Sequence, residues 1–216
     1  MTAVRDDGFE GPIEVRLEGL PSGWMATQPL VIQAGQHKAL GTIHRPLQGE
    51  PLPEKGVEVR VIGSAPLPGG EATRSTPKPI VIKHVEGKRV SFQVFATNGS
   101  GKVSAEPVSP TNPLVLRAGE SLSAIVVAER GEFHGDIGFG TDDSGRNLPH
   151  GVIVGNIGLS GLLIPAGQKQ QELFLEAAPW VESQERLFHL RANIDGNPTT
   201  VPLLLRMEPP SKNERD

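Results

Sequence analysis

Ile13, Val15 and Leu17 alternate with Glu14, Arg16 and Glu18. A period of two places three aliphatic side chains on one side of an extended chain and three charges on the other, the pattern of a half-buried antiparallel strand. Further strand candidates run over 90–96, 114–116, 122–127, 152–157, 159–164, 172–175 and 187–194, most of them bounded by Gly, Pro, Asn or Ser. Short strands separated by turn signals at this spacing predict an all-β sandwich. One stretch competes. Residues 168–191 hold helix formers such as Lys169, Gln170, Gln171 and Glu172, but Pro179 interrupts them. Strand, loop and strand is the favoured order there, with a short helical turn around 182–184 as the alternative.

The same phrases occur twice. Phe9-Glu10-Gly11-Pro12-Ile13, Leu20-Pro21-Ser22-Gly23-Trp24 and Ile32-Gln33-Ala34-Gly35-Gln36 return in order as Phe133-His134-Gly135-Asp136-Ile137, Leu148-Pro149-His150-Gly151-Val152 and Ile164-Pro165-Ala166-Gly167-Gln168. The offset between copies grows along the chain, as expected for one fold carrying longer loops in its second copy. A weaker match sets Val59-Arg60-Val61 against Leu190-Arg191-Ala192, each followed by a final apolar run, 80–82 and 201–207. The Leu-Pro-x-Gly phrase is turn chemistry, since proline presets φ and glycine accepts the positive φ of a tight reversal.

Composition narrows the function classes. The 216 residues carry a formal charge of −4, no Cys, no Tyr, seven Phe and two Trp. Without Cys there are no disulfides, thiolate nucleophiles or Cys-ligated zinc. The mildly acidic balance offers no footprint for nucleic acid, and no apolar run is long enough to span a bilayer. The 26 Gly and 20 Pro fit many short strands joined by turns. The first thirty residues include Asp6, Asp7, Glu10, Glu14 and Glu18 and hold no apolar stretch of signal-peptide type, so either the chain is cytosolic or its true beginning lies upstream.

Candidate chemistry is sparse. His37, His44, His84, His134, His150 and His189 are scattered, with no His-x-x-x-His or His-Glu-x-x-His spacing. His134 and His150 lie in corresponding turns of one copy, where the other has Glu10 and Ser22. Asp142-Asp143-Ser144-Gly145-Arg146-Asn147 is the most oxygen-rich loop, but it lacks the EF-hand spacing and reads as a solvated hairpin loop rather than a calcium site. Gly99-Ser100-Gly101-Lys102 fails the phosphate-loop pattern at Ala96 and Val103, and 98–101 reads as a flexible turn. No Gly-x-Ser-x-Gly elbow is present. No catalytic, cofactor-binding or metal-ligating residues are assigned, no cofactor is expected, and the chain is expected not to be an enzyme. Trp24, after its turn, is expected to lie on the core. Trp180, following Pro179 in a loop, is the one aromatic platform on which a sugar ring could stack.

A strand ending in Arg5, then Gly8-Phe9-Glu10-Gly11-Pro12-Ile13, then Gly19-Leu20-Pro21-Ser22-Gly23-Trp24, then a strand closing on Ile32-Gln33-Ala34-Gly35, resembles the bacterial immunoglobulin-like repeats of large secreted or cell-surface proteins. These include the domain appended to some bacterial α-galactosidases and repeats beside pre-peptidase domains. The second copy departs from the pattern, lacking the Trp after Gly151 and carrying 141–147 as an insertion. The resemblance covers most of the chain, and its motifs are turn and core signals. It implies tandem immunoglobulin-like sandwiches in a non-catalytic, extracytoplasmic spacer, adhesion or accessory module, with a protein or a cell-surface glycan as partner and carbohydrate binding as the alternative function. The expected domains are a partial repeat over 1–84, a complete repeat over 85–209 and a disordered tail over 210–216. About forty residues carrying three strand candidates precede Phe133 in the second copy, against eight before Phe9. The first sandwich is therefore expected to lack its leading strands, to lie inside a longer array, and to expose an edge open to pairing.

Overall fold

The computed structural model describes all residues except 7, 46–52, 84–89, 99, 156, 159–160 and 212–216, and of Asp143 the backbone alone. The chain is nearly all β and divides into two compact units, Met1–Glu86 and Gly87–Asp216. The joint expected near His84 and almost all of the expected tail lie outside the described residues.

In the first unit the strands are β1 (Ile13–Glu18), β2 (Met25–Ala26), β3 (Leu30–Ile32), β4 (Ile43–His44), β5 (Val57–Leu67), β6 (Gly70–Ser75) and β7 (Ile80–Ile82). One sheet runs β3-β1-β5-β6 with β7 also paired to β5, and β2 pairs β4 separately. The alternation read in β1 is the alternation observed. Val15 is buried and clusters with Leu30, Ile32 and Val61, while Arg16 and Glu18 face solvent. Strand β6 had no apolar pattern to announce it. Its register comes instead from the Pro68-Gly69 reversal, in which Leu67 pairs with Gly70 and Gly69 adopts a φ of 94°. Trp24 is half-buried.

The second unit contains β8 (Ser91–Ala96), β9 (Leu114–Arg117), β10 (Ser121–Glu129), β11 (Ile137–Gly138), the single helical turn α1 (Gly140–Asp143), β12 (Val152–Gly155), β13 (Leu163–Ile164), β14 (Gln170–Ala177), β15 (Glu185–Phe188) and β16 (Leu203–Glu208). A four-stranded sheet runs β12-β14-β10-β8, a three-stranded sheet runs β15-β16-β9, and β11 pairs β13. The β16–β9 pairing is parallel and the others are antiparallel. Alternate residues of both larger sheets enter one buried cluster. They include Phe92 and Val94 of β8, Ala124, Val126 and Ala128 of β10, Leu173 and Leu175 of β14, Leu114 and Leu116 of β9, and Leu203 and Leu205 of β16. At roughly 25 cal/mol per Å² of apolar area removed from water, this cluster is what holds the two sheets together.

Residues 168–191 form strand, loop and strand, β14 and β15, as the interrupting proline suggested. Two candidates end early. Strand β12 stops at Gly155, and of 187–194 only the first two residues belong to a regular strand; after them come the single bridges Arg146–His189 and Arg191–Thr199.

Corresponding phrases in the two units carry the same backbone bonds. Trp24 N–H donates to Pro21 O at 3.2 Å and Val152 N–H to Pro149 O at 3.0 Å, with Gly23 and Gly151 at φ 79° and 86°. A side chain at either glycine would be strained, which is why the phrase requires Gly at its fourth position. Ile13 pairs with Ile32 as Ile137 pairs with Ile164, and Met25 and Ala26 pair with His44 and Ile43 as Ile153 and Val154 pair with Glu176 and Leu175. Among the described residues, the first unit holds no counterpart of β8, β9 or the first half of β10.

Candidate functional site

An arginine fastens the same two turns in each unit. Arg5 Nε donates to Gln36 O at 2.9 Å, Nη2 to Gln33 O at 2.8 Å, and Nη1 to Gly11 O. Arg130 Nε donates to Gln168 O at 2.7 Å and Nη1 to Gly135 O at 2.6 Å, while Nη2 reaches Ile164 O and Pro165 O at 3.1 and 2.6 Å. Guanidinium presents five donors in a fixed planar fork, so one side chain gathers carbonyls of two turns, adding to the turn bonds that Gln33 O and Pro165 O already accept from Gln36 N–H and Gln168 N–H. The aromatic of each Phe-x-Gly phrase folds back over its glycine. A Cβ at Gly11 would lie 2.7 Å from the Phe9 ring, and one at Gly135 3.1 Å from that of Phe133. These groups fix the geometry of the turns.

The oxygen-rich segment is not a solvated hairpin loop. Gly140–Asp143 makes a helical turn, and Ser144 is fully buried, donating from Oγ to Gly140 O and accepting from Leu162 N–H at 2.9 Å. Asn147 donates from Nδ2 to Leu187 O at 2.7 Å and accepts from Arg186 at 3.0 Å, and Asp142 faces Arg146 at 3.8 Å. The side-chain oxygens of Ser144 and Asn147 thus serve separate protein partners. Burial of Arg186 lowers the pKa of its guanidinium. Sequence reading missed this packing because Ser144 meets Leu162, and Asn147 meets Arg186 and Leu187 of β15, only in the folded chain.

Around 98–102 the turn is held by Asn98. Its Oδ1 accepts from Ser100 N, Ser100 Oγ and Lys102 N at 3.2, 2.8 and 2.8 Å, so those amides turn inward to a side chain of the protein itself. His37, His134 and His150 are exposed, His189 is buried, and His84 lies outside the described residues. Among the described residues no three His, Asp or Glu side chains are placed to hold a metal ion. No helix among them is long and apolar enough to cross a membrane.

His44, half-buried on β4, has its pKa lowered by desolvation. The unfolded chain therefore binds a proton that the folded chain resists, and the stability of the first unit falls as pH drops through about 6.5 toward the lower folded value. Thermal unfolding followed from pH 7.5 to 5.5 is expected to show this decline, and His44→Gln to flatten it; equal slopes for both proteins would remove His44 as the cause.

The best-formed exposed feature is Trp180. Its side chain is 59% exposed, and its ring lies 5.2 Å from that of His150, tilted by 45°. The loop beneath is fixed by Ala178 N–H to Gly151 O at 2.9 Å, by Val181 N–H to Ala178 O at 3.1 Å, and by the buried Val181. A Cβ at Gly151 would stand 2.5 Å from the indole, so glycine is what lets the ring lie across the 149–151 turn. Sequence reading picked out Trp180 and His150 separately, and the turn contact brings them together.

Fold and surface together define a nearly all-β chain of two units, with an arginine-fastened turn pair in each and a fixed exposed indole in the second. Comparison with family models, with curated proteins and with solved structures finds no match.

Proposed function

We propose that this chain is a tandem pair of immunoglobulin-like β-sandwiches, the first lacking its leading strands, and that it acts as a non-enzymatic module that spaces, presents or adheres outside the cytoplasm. The observation that carries this is the shared wiring of the units, from the Arg5 and Arg130 forks to the paired registers of their short strands. Consecutive units built alike, each with its own apolar cluster, are the ordinary construction of a spacer. The extracytoplasmic setting, within a larger bacterial secreted or surface protein, rests on the resemblance of the Gly-Phe-x-Gly and Leu-Pro-x-Gly-Trp phrases to surface-protein repeats. Antibody raised against the chain should label intact source cells; labelling only after permeabilisation would overturn that setting.

Carbohydrate binding is the second reading, and the 59% exposure of Trp180 beside His150 favours it. An exposed ring held from below can stack on a sugar face. A glycan array probed with the intact chain and with Trp180→Ala separates the two. A spacer gives a flat array for both proteins. A retained glycan that Trp180→Ala loses at least tenfold, with the unfolding midpoint unchanged, would establish the carbohydrate site instead.

A further inference from the structure

The outward face of the sheet β12-β14-β10-β8 is apolar at its centre. Phe92 and Val94, Ala124 and Val126, and Leu173 and Leu175 turn into the buried cluster, so the residues between them turn away from it. Strand registers set these outward residues side by side, Phe95 next to Ile125, Val127 between Gln93 and Gln170, and Phe174 between Ser123 and Gly155. Phe95, Ile125, Val127 and Phe174 are half-buried, and they belong neither to the cluster nor to the apolar residues packed against it. Ile153, outward on β12, is exposed. A sandwich sheet ordinarily turns polar residues outward, so two of the chain's seven Phe on this side depart from the pattern.

The margin of this face carries one sign of charge. Glu172 and Glu176 flank Phe174 on the same side of β14, and Glu129 ends β10, accepting from Ser91 Oγ at 3.4 Å. All three are exposed, none is in an ion pair among the described residues, and the four strands contain no Lys or Arg. Gly155 lets the Glu176 carboxylate lie across β12, in the place a Cβ would take, next to Phe174. The three-stranded sheet of the same unit is built differently, since its outward Arg206 and Arg117 meet Glu185 at 2.7 Å and Glu208 at 3.2 Å. Its charges are matched within the sheet, whereas those around Phe174 are left for another molecule. A second copy presenting the same face would set carboxylate against carboxylate, which is repulsive. Four strands about 4.8 Å apart and five residues rising about 3.4 Å each give the face about 300 Å². That is well short of the roughly 800 Å² each side contributes to a standard stable interface, so the contact is a transient one.

We propose that this sheet face is a docking surface for a partner polypeptide whose contact surface is aliphatic at its centre and bordered by Lys or Arg. Its aliphatic side chains cover Phe95, Ile125 and Val127. A cationic head seats on the Phe174 ring between Glu172 and Glu176, where the ring face and both carboxylates favour positive charge. The inference rests on the second unit alone and is independent of the spacer role.

The probe is a synthetic capped peptide in which Arg alternates with Val and Ile, and the readout is the amide shifts of the ¹⁵N-labelled full chain. The peptide should move amides around Phe95, Ile125 and Phe174 and saturate at millimolar concentration, while a peptide with Glu in place of each Arg should move none of them. Raising salt from about 0.05 to about 0.5 M should weaken binding at least threefold. Glu172→Gln combined with Glu176→Gln should weaken it at least tenfold with the unfolding midpoint unchanged, because both side chains are exposed. Phe174→Ser, which removes the seat, should do the same, and if that variant loses its fold the paired Gln variant carries the test. Unmoved amides at millimolar peptide would overturn the proposal, as would equal shifts with the Glu peptide or undiminished binding by the folded Gln variant. Concentration-dependent shifts of the same amides in the free chain, with a dimer in sedimentation, would also overturn it and assign the face to a second copy.

Discussion

Phe139→Ala is expected to destabilise the second unit by about 3–5 kcal/mol, the range for deleting a fully buried ring. Phe139 is 0% exposed, its ring lies 5.1 Å from that of Phe92 at 59°, and its neighbours belong to the cluster joined by both larger sheets. The cost adds lost transfer energy to the cavity left behind, since strands pinned on both edges have little freedom to collapse into it. Against a typical domain stability of about 5–15 kcal/mol, the loss is a large share of the total. Urea titration followed by amide exchange of β8, β10 and β14 measures it. Phe139→Leu keeps most of the volume and should cost less than half as much. A loss below about 1 kcal/mol for the alanine variant would mean that the ring is not part of a close-packed core.

Arg130→Ala is expected to cost about 2–4 kcal/mol, because one half-buried guanidinium serves the carbonyls of Gly135, Ile164, Pro165 and Gln168. The figure lies below the sum of four charge-assisted bonds since water can reach part of the fork. Arg130→Lys should recover little of it, as an ammonium is a compact point donor and cannot span two turns. The acceptors are neutral carbonyls, so the loss should be nearly the same in 0.05 and 1 M salt, unlike an exposed ion pair. Chemical denaturation of the three proteins at both ionic strengths provides the check. Full rescue by lysine would show that charge matters here and fork geometry does not.

Much of the architecture was legible because strands announce themselves by side-chain alternation and turns by Pro and Gly. The inward Ile13, Val15 and Leu17, the interruption at Pro179 and the doubled Leu-Pro-x-Gly turns all follow from local stereochemistry. Arg130 escaped notice for a local reason as well. It stands three residues before Phe133, whereas Arg5 stands four before Phe9, so simple matching of phrases slips by one. The signal available was an arginine shortly before each Phe-x-Gly phrase. Strands β2 and β4, two residues each, and the polar β6 carry too little pattern to be found that way.

By itself, the sequence determined that this is a turn-rich β protein whose two stretches spell corresponding strands in the same order, because φ restrictions and period-two burial act within a few residues. Only the tertiary structure decided which carbonyls an arginine gathers, that Ser144 is buried within an oxygen-rich segment, and that His150 meets Trp180. Those outcomes depend on contacts such as Ser144 with Leu162, 18 residues apart, and Arg130 with Gln168, 38 apart, and no local rule of the chain carries that distance.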